Sequence, residues 1–399
     1  MKVFTQTFGC QMNEADSREM SRHFTDLGHV FTPNKEEADV LLLNTCTVRQ
    51  HAEDKALSFI GRLKDWKRKD PRRVLIVTGC AAERLRTSLK RRFPHIDLVI
   101  GAKSIDQFPK IVNDFLVQKM APSPRVAAAT EGEYNWFSES EETFGKGKLR
   151  NEGDPFALGN SEETAFVTVM RGCNYSCSYC IVPFVRGREI YRPPETILEE
   201  VAGEVERGKR KVMLLGQTVN SYWHKGSGAG KILEFSDLIE KVNALQGVEE
   251  IRFMSPHPHY MSDKLISALA RCKKVSPEIH LPVQSGSDAM LKAMNRNYTR
   301  GEYVGIACKL RKAVPDLRLS TDFIVGFPGE TEDDFNRTLS LTDEVRFSLA
   351  YCFKYSPRKG TGSFCFKDEV PASVKEERLS RLLEKIESFK ADPLAGAVL

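Results

Sequence analysis

The stretch Val169-Met-Arg-Gly-Cys173-Asn-Tyr-Ser-Cys177-Ser-Tyr-Cys180-Ile-Val-Pro-Phe184 sets three cysteines at Cys-x3-Cys-x2-Cys spacing directly after a strand-like run. Iron-sulfur clusters are usually held by four thiolates, so a compact triplet leaves one iron free to take a further ligand. Zinc is the competing reading. Structural zinc sites close with a fourth Cys or His, and the next His along this chain is the distant His224.

Around the triplet, short apolar runs alternate with amphipathic segments. Ala165–Met170, Lys211–Leu215, Glu250–Met254, Glu278–Pro282, Leu317–Gly326 and Ser348–Tyr355 read as strands with helical stretches between them. This pattern predicts an α/β fold with a partial (β/α)6 barrel, whose chemistry belongs at the carboxyl ends of the strands. The cysteine triplet follows the first such strand. Gln217, Gln284 and Asp322 fall at other strand ends beside glycines that let backbone approach a ligand. Each reads equally as a ligand contact or as a cap of the following helix.

Residues 1–118 show the same alternation on a smaller scale. Lys2–Phe8, Asp39–Leu43, Val74–Thr78 and Asp97–Ile100 read as strands, which predicts an open parallel sheet with helices on both faces. Cys10, Cys46 and Cys80 each end one of the first three of these strands, in Phe8-Gly-Cys10, Asn44-Thr-Cys46 and Thr78-Gly-Cys80. Parallel strands bring such ends to one edge, where ligands of open α/β sheets collect. One at a time each would be a small buried hydrophobe; as a set in equivalent positions they read as a second cluster site.

The chain divides on this reading into residues 1–118, a linker at 119–162 rich in Pro, Gly and acidic residues, a barrel at 163–390 and a short tail at 391–399. With 41% hydrophobic and 28% charged residues among 399, the composition is that of a globular enzyme. The longest apolar runs are of strand length, so no membrane span is expected. Ten cysteines and no secretory leader point to a reducing, cytoplasmic setting. The net charge is only +5, but basic residues come in runs at 64–73, 90–92 and 207–211, which read either as phosphate contacts or as solvated surface. Arg72, Arg73, Arg186, Arg188, Arg192 and Arg296 are further candidates for phosphate or cofactor contact. The glycine-rich Gly226–Gly230 lacks the Lys-Ser/Thr of a phosphate loop. Cys272, Cys308, Cys352 and Cys365 match no ligand spacing, and His257-Pro-His259 reads as a rigid loop.

The triplet at 173–180 resembles that of the radical S-adenosylmethionine (SAM) superfamily. Together with Phe8-Gly-Cys-Gln-Met-Asn13, Leu41-Leu-Leu-Asn-Thr-Cys46, Leu214-Leu-Gly-Gln217, Leu281-Pro-Val-Gln-Ser-Gly-Ser-Asp288 and Asp322-Phe-Ile-Val-Gly-Phe-Pro-Gly-Glu330, it is similar to the methylthiotransferase family over residues 1 to about 388. Cys-Gln-Met-Asn resembles the branch acting on N6-isopentenyladenosine beside the tRNA anticodon. The branches acting on a ribosomal-protein aspartate or on threonylcarbamoyladenosine tend to Cys-Pro-Lys-Asn and Cys-Lys-Val-Asn.

The resemblance implies that Cys173, Cys177 and Cys180 hold a 4Fe-4S cluster that binds and cleaves SAM. It implies that Cys10, Cys46 and Cys80 hold an auxiliary 4Fe-4S cluster carrying the sulfur to be methylated and transferred; the strand-end Gln217, Gln284 and Asp322 are then the candidate SAM contacts. It also implies tRNA as partner, a flavodoxin or ferredoxin as electron donor, a sulfur donor of unstated identity and a monomer. The family's third domain, a small β-barrel that grips RNA, finds no room after Lys390. A truncated, non-catalytic iron-sulfur or zinc protein is the alternative from another functional class.

Overall fold

The computed structural model describes residues 1–48, 50–120, 163–225 and 232–390. Most of the expected linker, the Gly226–Gly230 stretch and the tail lie outside the described residues.

The first unit is a five-stranded sheet in the order β2-β1-β3-β4-β5, formed by β1 (Lys2–Thr7), β2 (Val30–Phe31), β3 (Val40–Thr45), β4 (Val74–Gly79) and β5 (Leu98–Gly101). All of its pairings are parallel. The central strands β3 and β4 are buried along their whole length, as continuous apolar runs require when both faces are covered. Alternate residues serve opposite layers. Val40, Leu42, Val74 and Ile76 pack under α1 (Gln11–Asp26) and α4 (Phe108–Met120). Leu41, Leu43, Leu75 and Val77 pack under α2 (Gln50–Lys69) and α3 (Cys80–Arg92). The two-residue β2 was not anticipated; both its residues are exposed, so no burial pattern marks it.

The second unit carries α5 (Val182–Arg186), α6 (Pro194–Glu206), α7 (Phe235–Ala244), α8 (Asp263–Arg271), α9 (Asp288–Ala293), α10 (Arg300–Ala313), α11 (Glu332–Val345) and α12 (Ala372–Lys390). These surround six parallel strands: β6 (Thr164–Thr168), β9 (Lys211–Leu215), β12 (Glu250–Phe253), β13 (Glu278–His280), β14 (Arg318–Val325) and β15 (Leu349–Lys354). Two short hairpins complete the numbering, β7 (Met170–Arg171) with β8 (Ile190–Tyr191), and β10 (Trp223–Lys225) with β11 (Ile232–Glu234).

Three details differ from the expected strands. The first ends at Thr168, and Met170–Arg171 turns away to pair antiparallel with Ile190–Tyr191. The fourth stops at His280, two residues before Pro282, which has no N–H to offer a ladder. The sheet is also hydrogen-bonded as two halves, β12-β9-β6 and β13-β14-β15, joined by the lone Ile251–Val275 bridge.

The units meet along α1. Its Arg18 donates to the Thr164 carbonyl at 3.3 Å and lies 4.3 Å over the Phe166 ring. Met12 and Ala15 bury against Phe166, Met213 and Leu215. Cys80 and Ala102 pack on Ile181 and Val185. At its far end the barrel is closed by α12, whose buried Arg378 bonds Glu330 at 2.8 Å.

Burial raises the Glu330 pKa, while the Gly326 N–H and Arg378 oppose the rise. A carboxyl whose native pKa exceeds its unfolded value binds its proton more tightly when folded, so stability falls as pH rises through that window. Arg378→Met removes an opposing charge and should cost about 3–5 kcal/mol near neutrality. Part of that loss should return as pH falls and the raised Glu330 carboxyl protonates; urea unfolding followed from neutral to acidic pH measures it.

Candidate functional site

Cys10, Cys46 and Cys80 gather at the carboxyl edge of the first sheet. Cys10 caps the N-terminus of α1, Cys46 follows β3, and Cys80 is the first residue of α3. Glycines make the convergence possible. Gly9 has φ +111° and a methyl there would collide with Cys46; Gly79 has φ +99° and a methyl would meet the Thr45 carbonyl. The Cys46 hydrogen bond, burial and the neighbouring Cys46 charge together push the Cys10 thiol well above its ordinary pKa. Burial likewise raises Cys80, opposed by Arg186.

Cys173, Cys177 and Cys180 lie on one loop between β7 and α5. The Cys173 thiol and the Thr218 hydroxyl are 3.1 Å apart, Arg296 points Nη1 at the Cys177 sulfur from 3.5 Å, and the Cys180 amide bonds the Cys177 carbonyl at 3.0 Å. Burial, then the neighbouring Cys177, pushes Cys180 up to about 12. Such thiols stay protonated in the bare protein, and a bound cation inverts that balance by drawing out the thiolates.

The two units that carry the trios meet at one seam. Arg186, at the end of the helix that begins just after Cys180, donates through Nε to the Cys80 sulfur at 3.1 Å, through Nη1 to Asp16 at 2.6 Å and through Nη2 to Asn13 Oδ1 at 2.7 Å. Its side chain is 3% exposed and that of Asp16 is 0%. Burial opposes the charge on Arg186, but Asp16 and the two thiols outweigh it and raise the guanidinium pKa above its ordinary value.

The three expected cofactor contacts are divided between the halves of the barrel. Gln284 takes the rare φ of +76°, and its amide donates to the Asp322 carbonyl at 2.8 Å, so these two are neighbours. The Asp322 carboxylate lies 3.5 Å from His280 Nε2, and His280 Nδ1 is 2.8 Å from Ser320 Oγ. Gln217 sits apart on the loop after β9, and its amide oxygen is buried with no hydrogen-bond partner among the described residues. Asn220 is engaged with the His257 backbone and braces the loop.

Several arginine candidates are occupied within the protein. Arg72 pairs with Asp70, Arg73 bonds backbone carbonyls, Arg192 holds Glu200 and the Thr168 carbonyl, and Arg186 is the seam residue. His257-Pro-His259 is more than a rigid loop: His257 stacks on Tyr175 of the cysteine loop with ring centroids 4.1 Å apart. Burial and Arg296 push His257 down to about 2, keeping it neutral. Thr218, Tyr175 and His257 were missed as members of the site because no spacing in sequence links them.

Each trio offers three thiols and leaves a fourth position open, the donor set of an open-site iron-sulfur cluster. Among the described residues no three His, Cys, Asp or Glu side chains gather closely enough for one metal ion. Tetrahedral zinc would hold thiolates about 3.8 Å apart, whereas a cubane spreads three thiolates over separate irons. The glycine-cleared edge at Cys46, the orphaned Gln217 oxygen and the polar Asp322–His280 pair fit two clusters and a polar cofactor.

The chain is similar to known proteins along most of its length. A family model described as uncharacterized protein family UPF0004 matches residues 2–101, and one described as the radical SAM superfamily matches residues 167–342. The tRNA-2-methylthio-N(6)-dimethylallyladenosine synthase of Clostridium botulinum (strain Loch Maree / Type A3) is 43% identical over 396 residues, 98% of this chain and 82% of that protein. The protein of the same name from Clostridium perfringens (strain SM101 / Type A) is 40% identical, covering 95% of this chain and 80% of its own. Among solved structures, the radical SAM methyltransferase TsrM from Kitasatospora setae superposes with a TM-score of 0.58 at 13% identity, over 88% of this chain and 72% of its own, a likeness of fold alone.

Removing the seam cation should expose its role. Arg186→Met leaves the buried Asp16 with Arg171, 3.3 Å away, as its remaining cation among the described residues, and should cost up to about 3–5 kcal/mol. Adding Asp16→Asn should recover part of that loss. Denaturant unfolding gives the size, and faster amide exchange in the first turns of α1 would locate it.

Proposed function

This chain belongs to the methylthiotransferase family of radical-SAM enzymes, and we propose on that footing that it inserts a methylthio group at C2 of N6-isopentenyladenosine beside the tRNA anticodon. The observation that carries the reading is that Ile181 and Arg186, just beyond the 173–180 triplet, pack on Cys80 of the other triplet at one buried seam, in a chain 43% identical over nearly its whole length to a synthase of that name.

Cys173, Cys177 and Cys180 hold the 4Fe-4S cluster that takes SAM, and Cys10, Cys46 and Cys80 hold the auxiliary 4Fe-4S cluster. When bound, the first supplies the electron that cleaves SAM and the second carries the sulfur to be transferred. The chain's own residues do the rest. Gln217, with its unpartnered oxygen, and the half-buried Asp322 offer acceptors to SAM, and Gln284 is held in a strained backbone conformation beside Asp322. Met12, Ala15, Phe166, Met213 and Leu215 seal the seam with apolar surface, keeping water from reactive species.

tRNA is the substrate, and the exposed cations of the 90–92 run suit its phosphates. A flavodoxin or ferredoxin supplies electrons, and the enzyme works as a cytoplasmic monomer. That location is supported by ten cysteines all present as free thiols. Among the described residues no helix is long and apolar enough to cross a membrane.

The test is anaerobic reconstitution with iron, sulfide, reductant, SAM and tRNA from cells lacking the modification, followed by mass spectrometry of the digested nucleosides. The expected product is isopentenyladenosine heavier by one methylthio group. Cys177→Ala should abolish SAM cleavage. Cys46→Ala should retain cleavage yet yield no methylthio product; product from that variant would overturn the auxiliary-cluster assignment.

A further inference from the structure

Arg296 is a buried cation in want of a counter-charge. The residue is 9% exposed, and among the described residues no carboxylate forms an ion pair with it. Its Nε donates to the Tyr298 hydroxyl at 2.8 Å, its Nη2 to the Pro282 carbonyl at 2.9 Å, and its remaining Nη1 points at the Cys177 sulfur from 3.5 Å. A charge removed from water in this way is costly unless something negative faces it. Arg186 has Asp16 for that purpose. For Arg296 the negative group within reach is the Cys177 thiolate that a bound cluster would create.

Thr218 makes the matching contact on the other side of the loop. It is 2% exposed, with Oγ1 3.1 Å from the Cys173 sulfur. Once that thiol becomes a thiolate the hydroxyl is the only possible donor of the pair. Two of the three ligating sulfurs thus face side-chain donors, one of them cationic. Hydrogen bonds and charge at ligand sulfurs withdraw electron density from iron and favour the more negative, reduced cluster.

We propose that Arg296 and Thr218 are positioning residues that raise the reduction potential of the cluster held by Cys173, Cys177 and Cys180, bringing it within range of the electron donor. The inference rests on the assignment of that triplet to the SAM-binding cluster.

The experiment compares full-length reconstituted wild type, Thr218→Val, Arg296→Met and Arg296→Lys. For each, bound iron is counted, and the midpoint potential is read by redox titration of the EPR signal that SAM addition perturbs. Thr218→Val is nearly isosteric and guards against misfolding of the Arg296 variants. Both Thr218→Val and Arg296→Met should keep the wild-type iron content and titrate at lower potential, Arg296→Met by more, and Arg296→Lys should recover much of the shift. Wild-type potentials in Thr218→Val and Arg296→Met at full iron content would overturn the proposal. So would iron loss in Thr218→Val, since the hydroxyl would then hold the loop together without tuning it. A wild type with no SAM-responsive cluster would remove the functional reading as well, a result distinct from a cluster that is present and unshifted.

Discussion

A guanidinium buried between two units needs its charge met on every side, and Arg186 imposes that condition on this molecule. Its three partners are Asp16 and Asn13 on α1 and the Cys80 sulfur at the head of α3. All belong to the first unit, whereas Arg186 ends the short helix that Cys180 leads into. Partial separation would strand a buried cation opposite a fully buried carboxylate, so the seam is either completely formed or costly. Planar, forked donors suit such a three-way contact in a way a lysine ammonium does not. Arg171, 3.3 Å from the same Asp16, and Arg22, paired with Glu204 at 2.6 Å, add further ion pairs across the seam. The surrounding contacts, Met12 and Ala15 on Phe166 and Ile181 on Cys80 and Ala102, exclude water around it.

The same residue distinguishes the electrostatics of the two trios. Burial raises the pKa of Cys80, Cys173 and Cys180 alike, which keeps the bare thiols neutral and inert. Arg186 opposes the rise at Cys80 while being held by Asp16, so its charge is largely spent within the protein. Arg296 has no such carboxylate among the described residues, and its charge acts on the other loop. Two similar cysteine patterns thus sit in different fields.

Much of the fold was legible because both sheets are parallel and covered. β3 and β4 announce themselves as unbroken apolar runs, and the glycine before each of Cys10 and Cys80 marks a place where backbone must turn left-handed. The misreadings have local causes. Met170 looks like the continuation of β6 by composition, yet it joins a hairpin with Tyr191. The basic run at 64–73 reads either as phosphate contacts or as solvated surface, yet Lys67 is committed to Asp97 and Arg73 to the carbonyls of Trp66 and Glu36. A charged residue's partner thirty positions away leaves no trace in the run itself. His257 is the clearest case: its neighbours in sequence describe a rigid loop, and its ring contact with Tyr175 exists only in three dimensions.

Sequence alone determined where the thiols lie, since three at Cys-x3-Cys-x2-Cys spacing and three at equivalent strand ends are local or periodic properties that folding does not rewrite. It determined the alternation of strand and helix for the same reason. Tertiary structure alone decided that Cys80 meets Ile181 and Arg186 across the seam, that Arg186 has Asp16 while Arg296 has no carboxylate among the described residues, and that Thr218 reaches Cys173. Those outcomes depend on which buried charges and hydroxyls meet across units far apart in the chain, and the cost of burying a polar group is set by its neighbours in space.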